Sequence, residues 1–318
     1  MSGKPIQNAA DLAHLPLVSV IMNCFNGEVY LREAIDSVYA QTYANWEIIF
    51  WDNASTDGSA EIAKSYDERV RYFRGSENIP LGAARNKAMQ QVRGDFIGFL
   101  DCDDIWLPDK IERQVKAMSD GVSALCYGGI IKINSNGAEI GKSIPKKKSG
   151  HIFGPLLMQF DIELPTAFIR TTALNDSGLE FDCNVTASEE YCLFMELAVN
   201  RQFHVIPDVL AKYRIHDGSL TNKSISKWAI EREYTLNKIK RNFLGIEKQY
   251  PHGFREAYAR ANYYKAQYYI SIGKRKEAIA ELNTVKFVDK KYFCLFVISM
   301  FPPALWRFIQ KVKLKRDL

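Results

Sequence analysis

The sequence predicts an α/β protein with a largely parallel central sheet, and two observations predict it. Three apolar runs end abruptly in polar or acidic residues: 18–22 leads into Asn23-Cys24-Phe25-Asn26-Gly27, 46–51 into Asp52-Asn53, and 97–100 into Asp101-Cys102-Asp103-Asp104. A run apolar on both faces suits a strand buried from both sides. Helical patterns fill the intervals at 28–41, 59–66 and 80–92, so that strand and helix alternate. That order gives crossover connections, with helices covering both faces of the sheet. In such sheets ligands bind along the rim formed by the carboxyl ends of the strands. Asn23, Phe25, Asp52, Asn53 and the acids of 101–104 are therefore expected to converge, although they lie far apart in the chain.

The acids at 101, 103 and 104 carry the most chemistry. Carboxylates crowded at the end of a buried strand repel one another unless a cation sits among them. A hard divalent metal held by carboxylate oxygens, often shared with nucleotide phosphates, is the usual solution. Asp-x-Asp by itself more often marks a solvated turn or caps for the helix expected near Pro108; the convergence with a second acidic strand end is what moves the metal ahead. Asp57 is placed to cap the helix near Ser59. Pro80 suits a first helical turn, and the small residues after it allow close packing. Arg85, on that helix, is either a fixed cation facing the acids or a solvated surface arginine. Pro108 starts a helix with a structural role, 123–134 and 165–170 read as further strands, and the lysines at 146–148 sit in a solvated loop. Ser188 precedes Glu189 and Glu190 at a helix start, where acids favour the macrodipole with or without chemical duty.

Composition narrows the functional class. The chain has 318 residues, 47% hydrophobic and 25% charged, enough for one substantial domain and a smaller one. A formal charge of +5 suits phosphates or an anionic membrane surface, and no nucleic-acid-binding pattern is present. None of the six cysteines forms a Cys-x-x-Cys pair, which fits reduced thiols acting as small core residues. The histidines are scattered without metal-ligand spacing, so zinc is not expected. Residues 1–16 hold no apolar stretch long enough for a secretory signal, pointing to the cytoplasm. From Ile225 the pattern is helical, with a hairpin at 261–282 broken by Gly273. An aromatic-rich run at 292–306 follows, flanked by Arg307, Lys311, Lys313, Lys315 and Arg316. It is too short to span a bilayer, and it reads either as a helix in the membrane interface or as one packed on the protein's own core.

Residues 18–27, 52–59 and 101–104, taken in order with 80–87 and 188–194, resemble the family 2 glycosyltransferases. The resemblance implies a nucleotide-binding domain of the GT-A type over 1–222, followed by a C-terminal helical region over 223–318. It implies inverting, metal-assisted transfer from a nucleotide-sugar donor to a glycan or lipid-linked glycan acceptor. Asn23 and Phe25 then match positions that hold and cover the base, core packing being the alternative for Phe25. Asp52 and Asn53 match a pair more often seen as two aspartates, and Asn53 offers an amide oxygen to the base. Arg85, Asp101 and Asp103 fall on the donor, with Asp103, Asp104 and His216 assigned to a Mg or Mn ion; a surface role is the alternative for His216. Glu190 falls where relatives place the general base, usually an aspartate. The rival from another class is a catalytically degenerate sugar-binding or scaffolding subunit on the same fold.

Overall fold

The computed structural model describes residues 15–216, 225–301 and Trp306. The strands, in chain order, are β1 (Val18–Cys24), β2 (Trp46–Asp52), β3 (Val70–Arg74), β4 (Phe96–Phe99), β5 (Ile105–Trp106), β6 (Leu125–Asn134), β7 (Glu139–Ser143), β8 (Phe168–Arg170) and β9 (Phe203–Ile215). They form one sheet in the order β3-β2-β1-β4-β8-β6-β9-β5, with β7 paired to β6. The β1–β2, β2–β3, β1–β4 and β6–β9 pairs are parallel, whereas β8 runs antiparallel to both β4 and β6. The expected alternation holds, with helices α1 (Glu28–Tyr39), α2 (Ser59–Lys64) and α3 (Leu81–Met89) linking the first four strands.

Alternating residues of β1 and β2 serve two cores. Val18, Val20, Met22, Ile48 and Phe50 pack with Leu31, Ala34, Ile35 and Val38 of α1. Ile21 and Ile49 face the other way, against Ala88 of α3. α4 (Lys110–Ala117) joins the layer of α1 through Ile111, and the second layer is completed by α5 (Phe153–Met158), α6 (Thr171–Ser177) and α7 (Glu189–Asn200), then α8 (Ile225–Asn242), α9 (Ile246–Gln249) and α10 (Pro251–Ser271). Leu193 and Phe194 of α7 share one core with Leu236 and Ile239 of α8 and with Phe254 and Ala257 of α10. The far half of α10, α11 (Arg275–Val285) and α12 (Lys290–Ser299) enclose a smaller third cluster around Tyr263, Leu282, Tyr292 and Trp306. The hairpin read from the sequence is present, its turn made by Gly273 at φ +79°.

Several expectations change. Residues 164–166 form a 3₁₀ turn, and only Phe168–Arg170 is strand. Ser188 occupies the N-cap position of α7 but makes no side-chain capping bond. Lys147 is not left to solvent, since it pairs with Asp161 at 2.7 Å. Cys183 and Cys294 are exposed, so core packing accounts only for the buried thiols of Cys24, Cys126 and Cys192. Residues 1–14, residues 217–224 and the basic residues after Trp306 lie outside the described residues.

Gly98 of β4 marks a close approach. A Cβ there would stand 2.7 Å from the buried Trp106 ring. Gly98→Ala is expected to destabilise the protein by about 1–3 kcal/mol, because a buried indole has no room to retreat. Urea unfolding followed by intrinsic fluorescence measures this.

Candidate active site

Asn23, at the end of β1, is buried, and neither of its amide atoms has a hydrogen-bond partner. Buried polar groups left unpaired are costly, about 1–3 kcal/mol each, which makes this amide a place for a ligand. Phe25, two residues on, is about half exposed, its relative accessibility being 47%. The next loop is tied to the end of β2. Asn26 stands in the left-handed region at φ +54°, where asparagine is tolerated, and its Oδ1 accepts from the Thr56 amide at 2.8 Å. Asp57 Oδ1 accepts from the Ser59 amide at the start of α2, and its Oδ2 accepts from the Glu28 amide at the start of α1. Glu28 Oε2 in turn accepts from the Gly58 amide at 2.7 Å. The expected cap at Asp57 therefore serves two helix starts.

Asp52 and Asn53 are both engaged within the protein. Asp52 accepts from the Ser55 amide at 2.7 Å and the Tyr72 hydroxyl at 2.6 Å, and pairs with Arg74. Burial alone would raise its carboxyl, but bonds from Tyr72 and Ser55, with the charge of Arg74, hold it below the usual range. Asn53 donates to Asn78 Oδ1 and to the Ile79 carbonyl, each at 2.7 Å. Its own Oδ1 accepts from the Ile79 amide at 3.3 Å. Ala54, next in the chain, is held at φ +66°, a conformation costly for a residue with a Cβ. These bonds pin it there.

The acids at the end of β4 each meet a different partner. Arg85 of α3 is buried and reaches Asp101 Oδ1 at 3.0 Å and Glu189 Oε1 at 2.5 Å. Close packing makes this reach possible, since a Cβ on Gly82 would lie 3.4 Å from Phe181 and 3.5 Å from Glu189. Burial opposes the guanidinium charge, but Asp101, Glu189 and Glu190 outweigh it and keep Arg85 firmly protonated. Asp103 lies 2.9 Å from His216 Nε2. Burial and then the charge of Asp101 push Asp103 upward, against the pull of His216. Asp104 is fully buried; Oδ1 accepts from the Arg214 amide at 2.9 Å, while Oδ2 has no partner. Burial, then Asp103 and Asp101, push its carboxyl well above the usual carboxylate range.

Glu190 belongs to the same charge cluster. It is partly buried, and its carboxyl is pushed up to about 8, first by burial and then by the charge of Glu189, with Arg85 pulling it down. The structure thus joins Arg85, Asp101 and the acids at the start of α7, and it joins Asp103 to His216. No hydrogen bond or ion pair connects Asp52 or Asn53 directly with these acids.

Arg214 was not singled out by the sequence reading. Besides its amide on Asp104, it donates through Nε to the Asp103 carbonyl at 2.9 Å, pairs with Glu33 at 2.6 Å and stacks over Tyr30 at 4.4 Å. The Tyr30 ring also lies 5.2 Å from that of His216. The available signal was an arginine two residues before the chosen histidine.

The sequence profile of Glycosyl transferase family 2 matches residues 19–176. The putative teichuronic acid biosynthesis glycosyltransferase TuaG of Bacillus subtilis is 36% identical over 69% of this chain and 88% of its own length. The chain belongs to glycosyl transferase family 2. Escherichia coli WfgD, a UDP-Glc:α-D-GlcNAc-diphosphoundecaprenol β-1,3-glucosyltransferase, is 29% identical over 73% of this chain and 94% of its own length. The match to an uncharacterized glycosyltransferase of Rickettsia felis, 33% identical over 71% of this chain, spans only 39% of that longer protein. Among solved structures, Staphylococcus aureus TarS 1–349 in complex with UDP-GlcNAc superposes with a TM-score of 0.66 at 19% identity, covering 94% of this chain and 89% of that one. The Pyrobaculum calidifontis mannosyltransferase PcManGT, in complex with GDP-Man and Mn²⁺, gives 0.58 at 16% identity, covering 91% and 85%. At these identities the likeness is one of fold, and it places the catalytic domain of this family member in the GT-A class.

Removing the guanidinium leaves the buried Glu189 carboxylate without its cation and Asp101, which is partly exposed, without its partner. Arg85→Met is expected to destabilise by about 3–5 kcal/mol, and Arg85→Lys to recover only part, because one ammonium cannot bridge two carboxylates as a guanidinium does. Denaturant unfolding of both variants checks this.

Proposed function

We propose that this glycosyltransferase moves a sugar, with inversion, from a nucleoside-diphosphate sugar to a hydroxyl of a glycan acceptor in polysaccharide or glycoconjugate biosynthesis. The observation that carries the proposal is Arg85, one buried guanidinium bonded to Asp101 at the strand-end acids and to Glu189 beside Glu190. It ties the residues suited to a diphosphate to those suited to an acceptor hydroxyl.

In this reading the Glu190 carboxylate takes the proton from the acceptor hydroxyl as that oxygen attacks the anomeric carbon. The bond from that carbon to the diphosphate oxygen breaks on the opposite face, and the nucleoside diphosphate leaves. The buried Asn23 amide and the half-exposed Phe25 ring are suited to the base, by hydrogen bonding and stacking. Asp52 and Asn53 fix the loop beside them, and the remaining lone pair of Asn53 Oδ1 is available to a base. Asp101 and Asp103 are suited to the ribose and diphosphate end.

The residues present fit part of a metal shell. Asp103 and His216 stand side by side, and Asp104 keeps a buried oxygen with no partner. Among the described residues no group of three or more His, Cys, Asp or Glu side chains is arranged to hold a metal alone. Mg or Mn would therefore be shared between Asp103, Asp104, His216 and the donor phosphates. Bound there, it would stabilise charge on the departing diphosphate as a Lewis acid.

A lipid-linked acceptor at the cytoplasmic membrane face extends the proposal; WfgD, by its name, acts on a diphosphoundecaprenol-linked sugar. Among the described residues no helix is long and apolar enough to cross a membrane. Phe287, Phe293, Met300 and Phe301 are exposed, while Tyr292 and Trp306 pack inward. The outward aromatics, near basic residues, suit an interfacial contact. Binding to anionic liposomes should weaken as salt rises without vanishing; cosedimentation that shows no binding at low salt ends this part of the proposal.

The main test is nucleotide release from UDP-glucose, UDP-N-acetylglucosamine and GDP-mannose, with Mn²⁺ or EDTA. Release with one donor, lost in EDTA, is expected. Glu190→Gln should lower turnover by roughly two to four orders of magnitude with donor affinity kept. In the intact protein kcat/KM should climb as pH rises through about 8, where Glu190 ionises. Wild-type turnover by Glu190→Gln removes it as the base, and no release from any donor favours the degenerate subunit.

A further inference from the structure

We infer that α8 positions the proposed base, its Glu231 carboxylate holding the backbone that leads into α7. This rests on reading Glu190 as the base. The residue at the N-cap of α7, Ser188, makes no capping bond of its own. Its hydroxyl instead donates to Glu231 Oε2 at 2.9 Å, and the Ala187 amide donates to the same oxygen at 3.0 Å. The Thr186 amide and hydroxyl donate to Oε1 at 2.8 and 3.1 Å. Glu231 is buried, and four donors converge on its two oxygens. Charge-assisted bonds of this kind are strong and fix geometry.

Glu231 is one of a row. Lys227, Tyr234 and Lys238 lie on the same face of α8, at spacings that align side chains along a helix. Lys227 reaches the Thr186 hydroxyl at 2.9 Å. The Tyr234 hydroxyl donates to Asp182 at 2.9 Å, and Lys238 bridges Asp182 and Glu196 of α7 at 2.8 and 2.7 Å. The whole row closes on residues 182–188 and on α7.

This arrangement has a directional consequence. The start of α7 is gripped by Arg85 on Glu189 and by α8 on residues 186–188. Glu190 follows directly on the gripped residues, 186–188 and 189. A base must stand within hydrogen-bond reach of the acceptor hydroxyl, and misplacement by about 1 Å costs on the order of a hundredfold. The donor residues at 23–25 and 101–104 are not touched by Glu231, so the loss should fall on turnover rather than on donor binding. Glu231 is thus a positioning residue.

The test uses the full chain and the nucleotide sugar that releases fastest in the screen above. Glu231→Ala should lower kcat by roughly tenfold to a hundredfold with donor KM within about twofold, and hydrogen exchange at the Thr186 and Ala187 amides should quicken. Glu231→Gln keeps one accepting oxygen and should restore part of kcat. A folded Glu231→Ala variant with wild-type kcat overturns the inference, as does equal loss in kcat and donor affinity. Should Glu231→Ala fail to fold, Thr186→Val, at an exposed position, serves instead: a drop of about threefold in kcat supports the inference, and none overturns it. Glu190→Gln run in parallel separates the two readings. If it is inactive while Glu231→Ala is normal, only the positioning role fails; if it is fully active, the base assignment itself fails.

Discussion

The link between the strand-end acids and the acid-bearing helix α7 depends on one buried guanidinium. Arg85 is enclosed between Asp101 and Glu189, and taking such a group out of water is costly unless every donor is met with good geometry. The surrounding sequence supplies that geometry. Gly82 lets α3 lie against Phe181 and Glu189, and Asn86 on the same helix exchanges bonds with the Phe181 backbone at 2.8 and 2.9 Å. A Cβ at 82 would meet Phe181 and Glu189 in ordinary van der Waals contact, so any side chain longer than alanine there would have to displace one of them. The distance between the strand-end acids and the acid-bearing helix is therefore held by the packing of α3 together with the two ion pairs.

The same logic explains how three carboxylates coexist at the end of β4. Each is answered by a different segment: Asp101 by Arg85 of α3, Asp103 by His216 just after β9, and Asp104 by the amide of Arg214 within β9. Two of the three answers come from one strand end, so the site needs β9 in register. Arg214 reinforces it by reaching back to Asp103 and across to Glu33 of α1. Burial and mutual repulsion still hold Asp103 and Asp104 above the usual carboxylate range, which is the state a bound cation would relieve.

Much of this was legible in the sequence because it is local. Buried parallel strands such as β1, β2 and β4 leave largely apolar runs, interrupted only by Ser19 and Glu47, and their polar ends mark the rim without knowledge of contacts. β9 was not legible. Pro207 interrupts it, and the register against β6 shifts around Gly129, opposite Val209, where a proline can be accommodated without a ladder bond. Missing β9 meant missing Arg214. The partners of Asp52 and Asn53 were also out of reach, since Tyr72, Arg74, Asn78 and Ile79 lie some twenty residues or more away and only the folded sheet edge brings them near. The cap expected from Ser188 failed for a related reason: its hydroxyl was claimed by a carboxylate 43 positions later.

That last exchange bears on how the C-terminal helices relate to the chemistry. α8 contributes Leu236 and Ile239 to the core shared with α7, and its polar row meets the loop before α7. Apolar and polar faces of one helix thus act on the same target, one by burial and the other by directed bonds. α11 and α12 close on the far half of α10, and they carry the outward Phe293 while Phe287 projects from the turn between them. In the proposed reading, movement of α8 would carry Glu190 with it, because Glu231 holds residues 186–188 directly before α7. Helices two layers removed have no such constraint. Along the chain, the C-terminal helices thus pass from α8, bonded to the loop before α7, to α11 and α12, beside which Phe287 and Phe293 face outward.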